Sequence, residues 1–216
     1  MLTMVNQASD PSLQEYEEKK SVFIGAAAHC DSLDQAADFL ESMRQAHPKA
    51  RHHAFAAVAG TSPSNLSERM SDDGEPAGTA GRPILNLLRH REISQTVVVV
   101  SRYFGGILLG TGGLTRAYSA AASLALEAGR LAEIVPAVDY SLTLAYRDYQ
   151  PLINLVKTCR GEVRSESFTD KVSLIVVVPD PPDGQSSFIQ LCNSAFPHTV
   201  LPRRLGDSSL TVPLKQ

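Results

Sequence analysis

Four consecutive valines, Val97–Val100, constrain this chain more than any other feature. Four β-branched residues in a row cannot leave one face of a strand in water, so the segment belongs in a sheet covered on both sides. Glycine-rich sequence follows directly. Between Ser71 and Tyr118 the chain places eight of its 14 glycines, an acidic cluster, and two loops that each lead into a helical pattern. The first loop, Gly78-Thr79-Ala80-Gly81-Arg82-Pro83, opens a helix carrying Ile84, Leu85, Leu87 and Leu88. The second, from Gly105 to Gly113, opens a helix carrying Leu114, Tyr118, Ala121 and Ala125. Glycine gives up much chain entropy on folding, so such loops occur where the backbone turns sharply, packs closely or approaches a ligand.

The flanking sequence fills in the elements. From about Glu15 to Gly60 the pattern reads strand, strand, helix, strand. Val22 to His29 is the second strand, and Ser32 followed by Gln35 forms a capping box. Leu33, Ala36, Ala37, Leu40 and Met43 then share one helical face, which Pro48 terminates. His53–Ala59 is a strand and Leu66–Met70 its hairpin partner, while the first ten or so residues read as a loose end. Downstream, Gly129 stops the third helix, and residues 131–137, broken by Pro136, read as a linker. Tyr140, Leu142, Leu144 and Tyr146 then alternate as in a half-buried strand. Asp148 caps a helix holding Leu152, Ile153 and Val156. Two strands follow within 163–178, then a turn at 179–184, a helix with Phe188, Leu191, Cys192 and Ala195, and a last strand within 199–214. This β-α-β-β-α-β order is the ferredoxin-like arrangement. The expected fold class is α+β with two domains.

Charge and cysteine usage exclude several function classes. The net charge of −3 gives no overall attraction to nucleic acid or anionic membrane, which leaves only a local basic patch for such a role. Cys30, Cys159 and Cys192 are odd in number and far apart, so neither a disulfide framework nor a zinc site is expected and a reducing cytoplasm fits. No apolar run of about 18 residues is present, and the first residues lack a basic n-region and an apolar h-region. No membrane partner is expected.

Three constellations can carry chemistry. The first is Arg102, Gly105, Gly106, Gly110, Thr111, Gly112, Gly113, Thr115 and Arg116. A helix starting near Gly113 offers unpaired N–H groups and the positive end of its dipole, and two guanidinium groups flank it, so an anion or phosphate can be held there. The alternative is that the glycines serve close packing and Arg102 pairs with a carboxylate. The segment is neither a Walker A loop, since no lysine stands between Lys49 and Lys157, nor a full GxGxxG. The second is the acidic loop, Asp72, Asp73 and Glu75, which either binds Mg²⁺, pairs with Arg82, Arg102 or Arg116, or hydrogen-bonds its own turn. His52 and His53 are adjacent on a strand and face opposite ways, with one of them able to meet Asp72 or Asp73 as an acid–base pair. The third is a set of nucleic-acid contacts, Arg89, Arg91, Arg203 and Arg204, with Tyr140 and Tyr146 available for stacking if their sheet face is open. No metal site and no cofactor is assigned, and no nucleophile is recognisable.

The residues Gly81, Ile84-Leu85, Leu88, Ile93, Val99-Val100, Arg102-Tyr103-Phe104-Gly105-Gly106 and Leu109-Gly110, preceded by SDDGEPAGTAGRP, resemble the signature of the YigZ/IMPACT family. The resemblance implies an N-terminal α/β sandwich similar to a domain of a small-subunit ribosomal protein, here residues 12–135. It also implies a ferredoxin-like C-terminal domain similar to the last domain of elongation factor G, here 137–216. Eukaryotic relatives are linked to translational control during amino-acid starvation. They carry an N-terminal binding module, where only about a dozen residues precede the family domain in this sequence. The expectation is therefore a cytoplasmic, translation-linked regulator contacting RNA or the ribosome. The alternative is an enzyme acting on a phosphorylated small molecule or nucleotide at the glycine-rich loops.

Overall fold

The structure, a computed structural model, describes residues 1–180, 187–197 and 199–214. The elements in order are β1 Leu2–Met4, β2 Ser12–Glu18, β3 Ser21–His29, α1 Leu33–Ala46, β4 His52–Ala59, β5 Ser67–Ser71, α2 Gly81–His90, β6 Ile93–Ser94, β7 Thr96–Tyr103 and α3 Gly110–Ala128. They continue as β8 Leu131–Leu144, α4 Tyr146–Thr158, β9 Glu162–Phe168, β10 Val172–Pro179, α5 Phe188–Ala195 and β11 Arg203–Pro213. The chain divides into two compact units, one built from Met1–Glu133 and the other from Ile134–Val212. The fold is α+β, as the alternation of periods predicts.

In the first unit a sheet runs in the order β2-β3-β7-β4-β5, with every neighbouring pair antiparallel. The valine strand, β7, is central. Val97 and Val99 face α1, packing with Phe39, Met43 and Phe55. Val98 and Val100 face α2 and α3, packing with Ile84, Leu88 and Tyr118. Both faces are covered, which is why an unbroken β-branched run is tolerated there. Alanines on β3 and β4, including Ala26, Ala27, Ala54 and Ala56, are fully buried and keep the helices close to the sheet. On α3 the expected stripe Leu114, Tyr118, Ala121 and Ala125 is buried. On α1 the buried face is Ala36, Phe39 and Met43; Ala37 is exposed, one position off the stripe. Ser32 caps α1 through Gln35 N, but the Gln35 side chain returns to Asp31 N, so the expected capping box is displaced by one residue.

Three expectations are corrected. The N-terminus is no loose end: β1 pairs in parallel with β6 and antiparallel with the start of β8, and Met4 is fully buried. Residues 131–137 are strand, not linker. Leu131–Glu133 pair with β1 and Ala137–Leu144 pair with β10, so the missing N–H of Pro136 falls outside both registers. Tyr146 opens α4 instead of closing β8, and the α4 N-cap is Ala145, with Asp148 in the first turn.

The second unit pairs β9 with β10, β10 with β8, and β8 with β11. In strand order this is 2-3-1-4, the ferredoxin-like split arrangement. Tyr140, Leu142 and Leu144 of β8 and Leu174 and Val176 of β10 pack against Leu152, Val156, Phe188 and Cys192 of its two helices. Residues 181–184 of the expected turn lie outside the described residues. Among the described residues no helix is long and apolar enough to cross a membrane.

Candidate functional site

The acidic loop joins β5 to α2, and its three carboxylates go to three different partners. Asp72 accepts from the backbone N–H groups of Gly78 (2.8 Å), Ala80 (3.0 Å) and Gly81 (2.8 Å). The α2 N-cap, Ala80, has no side chain to satisfy the first-turn donors, so Asp72 does this from outside the helix. Burial opposes ionisation of Asp72, but the three N–H donors, helped by Arg82, outweigh it and hold its carboxyl below its ordinary value. Asp72→Ala is expected to cost about 2 kcal/mol at neutral pH, as for a strong helix cap. A depressed folded pKa means this contribution is complete above the ordinary value of about 4 and is lost as pH falls through the folded value. Urea midpoints of the wild type and variant should therefore differ clearly at pH 7 and converge in strong acid. A pH-independent gap would refute the capping role.

Asp73, at a positive φ of 48°, accepts from Arg44 Nη2 (2.9 Å) and from the His53 backbone N–H (2.6 Å). Its carbonyl oxygen accepts from His52 Nδ1 at 2.7 Å. The two histidines do lie on opposite sheet faces, but no imidazole–aspartate pair forms. His53 instead bonds Ser101 Oγ at 2.8 Å, and burial lowers its pKa. Among the described residues no three His, Cys, Asp or Glu side chains converge as a metal cluster.

Glu75 is buried at 8% exposure and sits at the centre of a polar network. Its Oε1 accepts from Arg102 Nη1 at 2.7 Å and from the Tyr118 hydroxyl at 2.8 Å, with His52 Nε2 3.9 Å away. Burial first, then the Glu75 charge, pushes the Tyr118 hydroxyl well up, so it stays a donor. The Arg102 guanidinium lies over the rings of Phe23 (5.4 Å) and Phe104 (5.5 Å). Its Nη2 reaches Ser21 Oγ only at 3.5 Å, and its Nε has no hydrogen-bond partner.

This network forms the wall of a cleft of about 400 Å³, lined among others by Arg51, His52, Glu75, Arg102, Phe104 and Thr111. The loop from Phe104 to Leu109 borders it, turning at Gly106 (φ 83°) and Gly110 (φ 71°), with Leu108 strongly exposed. At one end Gly110 and Thr111 bring in the α3 N-terminus. Its N-cap, Leu109, makes no side-chain cap bond, and the first turn holds no acidic residue. Gly112 and Gly113 follow in that turn, and the Thr115 hydroxyl donates to the Thr111 carbonyl. Of the residues expected to hold an anion, the cleft thus gathers Arg102, Gly110 and Thr111. Thr115 lines a separate groove between α2 and α3, Arg116 is exposed on α3, and the Gly105 N–H is bonded to Ser21 Oγ.

The expected nucleic-acid contacts are scattered. Arg89 makes a forked pair with Glu68, Arg91 bonds Glu127 (2.7 Å) and Ser123 (2.5 Å), and Arg204 pairs with Asp207; Arg203 is exposed. Tyr140 is not available for stacking, since its ring packs on Phe188 in the core at 5.2 Å. Tyr146 is exposed but rests against Phe168. Cys30 and Cys192 are buried free thiols that burial pushes up to about 12, which excludes them as thiolate nucleophiles. Sequence reasoning missed Arg51, Phe104 and Tyr118. The one available signal was Tyr118 on an alanine-rich core stripe, where a buried hydroxyl demands a partner.

The Impact N-terminal domain matches residues 19–126, the stretch that builds the acidic loop, the valine strand and the cleft. The chain belongs to the IMPACT family. It is 41% identical over 163 residues to the IMPACT family member YigZ of Escherichia coli, covering 76% of this chain and 80% of that one. A solved structure described as a hypothetical protein covers 100% of this chain and 97% of its own at 33% identity and a TM-score of 0.62. Yih1, described as a two-domain translational regulator, is 29% identical over 56% of this chain and 46% of its own, at a TM-score of 0.35.

Proposed function

We propose that this IMPACT family chain is a translation-linked regulator that works by binding, contacting RNA or the ribosome through the cleft of its first unit. The observation that carries the reading is the half-exposed Phe104 ring, 41% open, with the Arg102 guanidinium 5.5 Å and the Arg51 guanidinium 6.0 Å from its centre. Aromatic faces stack unpaired bases, and guanidinium groups and helix N-termini take phosphates, so this grouping suits a single strand better than a duplex. The translation setting comes with the family resemblance. The alternative enzyme reading has less support, because no cysteine or lysine is among the residues lining the cleft and its buried carboxylate is committed to Arg102 and Tyr118.

The test is binding of purified protein to short single-stranded RNA, duplex RNA and ribosomes across a salt series. Single-stranded RNA or ribosomes should bind with an affinity that falls as salt rises, and Phe104→Ala should weaken binding roughly 5-fold or more. Absence of binding to all three at low salt overturns the reading.

A further inference from the structure

A cleft of about 400 Å³ is too small for a run of strand and lies near the lower end of the range for small-ligand sites, roughly 300–1,000 Å³. Its two ends differ in chemistry. One end is aromatic: Phe104 presents a half-exposed face beside Arg51. The other end is the first turn of α3, which has no capping side chain and no acidic residue of its own; the one carboxylate lining the cleft, Glu75, is held by Arg102 and Tyr118. A helix start left this way favours an anion through its free donors and its dipole. A second, independent observation points the same way. Arg102, only 6% exposed, lines the same cleft: Nη1 is held by Glu75, Nη2 makes only the long contact to Ser21 and so keeps donor capacity, and the unpartnered Nε is enclosed. A guanidinium is seldom buried with free donors unless something else uses them.

Building on that reading of the cleft, we infer that it is a site for one nucleoside monophosphate unit. The phosphate sits on the backbone N–H groups at Gly110–Gly112 and the base lies on Phe104. The unit comes either from a free nucleotide or from a phosphorylated strand end; both offer the same chemistry.

Gly112 provides the deciding variant. It lies in the first turn of α3 at a backbone conformation open to any residue, and a Cβ there would meet only Arg116 Nη1, at 3.6 Å. Gly112→Asp therefore adds a negative charge to the same first turn, one residue beyond the cleft-lining Gly110 and Thr111, where it opposes a bound phosphate, while a negative charge at a helix start favours the fold. Titration calorimetry with AMP, adenosine, inorganic phosphate, and RNA oligomers bearing a 5′-phosphate or a 5′-hydroxyl reads the result. AMP should bind at least roughly tenfold more tightly than adenosine, and Gly112→Asp should weaken AMP by a similar factor with no loss of melting temperature. Phe104→Ala should weaken AMP but leave inorganic phosphate unchanged. AMP competing with 5′-phosphorylated RNA but not displaced by the 5′-hydroxyl oligomer assigns a strand end; AMP binding with no RNA binding assigns a free nucleotide and removes the regulator reading instead. Equal binding of AMP and adenosine, or unchanged AMP affinity in Gly112→Asp, overturns the inference. RNA or ribosome binding insensitive to AMP, Gly112→Asp and Phe104→Ala also overturns it, and leaves the regulator reading in place at another surface.

Discussion

Glu75→Ala is expected to destabilise the first unit by about 3–5 kcal/mol, the cost of leaving a buried charge without its partner. Glu75 and Arg102 are both almost fully enclosed, with side chains 4% and 7% exposed, so neither can turn to water when the other is removed. The Tyr118 hydroxyl would lose its acceptor in the same step. Glu75→Gln should cost less, because the amide oxygen still accepts from Tyr118, yet it leaves the Arg102 charge uncompensated. Removing both charges in Glu75→Gln/Arg102→Met should recover much of the loss, since a buried ion pair contributes little net stability against apolar substitutes. Urea denaturation of the wild type, Glu75→Gln, Arg102→Met and the double variant closes this cycle, with Glu75→Ala measured beside them. If Glu75→Ala unfolds at the wild-type midpoint, the network does not hold the cleft wall, and the free donors of Arg102 have no fixed place from which to act.

The residues that build the fold were more legible than those that build the site. The Val97–Val100 run and the Leu114, Tyr118, Ala121, Ala125 stripe each report burial through local periodicity, and local periodicity survives in the structure. β1 could not be seen this way. Three residues carry no period, and their burial depends on partners about 90 and 130 positions away, β6 and β8. Pro136 misled because a proline breaks a ladder only where its N–H is required, which depends on register. In the acidic loop the sequence offers three equivalent-looking carboxylates. Their fates diverge because one meets a helix start, one an arginine of α1 and a strand N–H, and one a buried guanidinium. Those contacts span between six and 43 residues in sequence. Phe104 is not legible as a site residue, since an aromatic side chain beside glycines gives no periodic sign of whether it is buried or presented.

Gly105→Ala is expected to cost about 3 kcal/mol, combining overpacking against an unyielding neighbour with one lost hydrogen bond. A Cβ at position 105 would fall inside contact distance of the Lys20 carbonyl carbon and oxygen and of the Ser21 nitrogen, all of them backbone atoms. That backbone cannot give easily. Lys19 and Lys20 close the β2–β3 hairpin at φ 48° and 64°, and β3 continues into the centre of the sheet. Movement would also break the bond from the Gly105 N–H to Ser21 Oγ and so disturb the residue that supports Arg102. Gly106→Ala makes the informative comparison: φ there is 83° and nothing lies within 4 Å of an added Cβ, so only backbone strain of roughly 1–2 kcal/mol is at stake. Thermal and urea unfolding should therefore rank Gly105→Ala well below Gly106→Ala. The reverse order would show the loop standing off the hairpin. The ranking also decides how binding data on this loop are read. A Gly105→Ala protein that loses ligand and stability together reports packing, whereas affinity lost in Gly112→Asp at full stability reports an anion on α3.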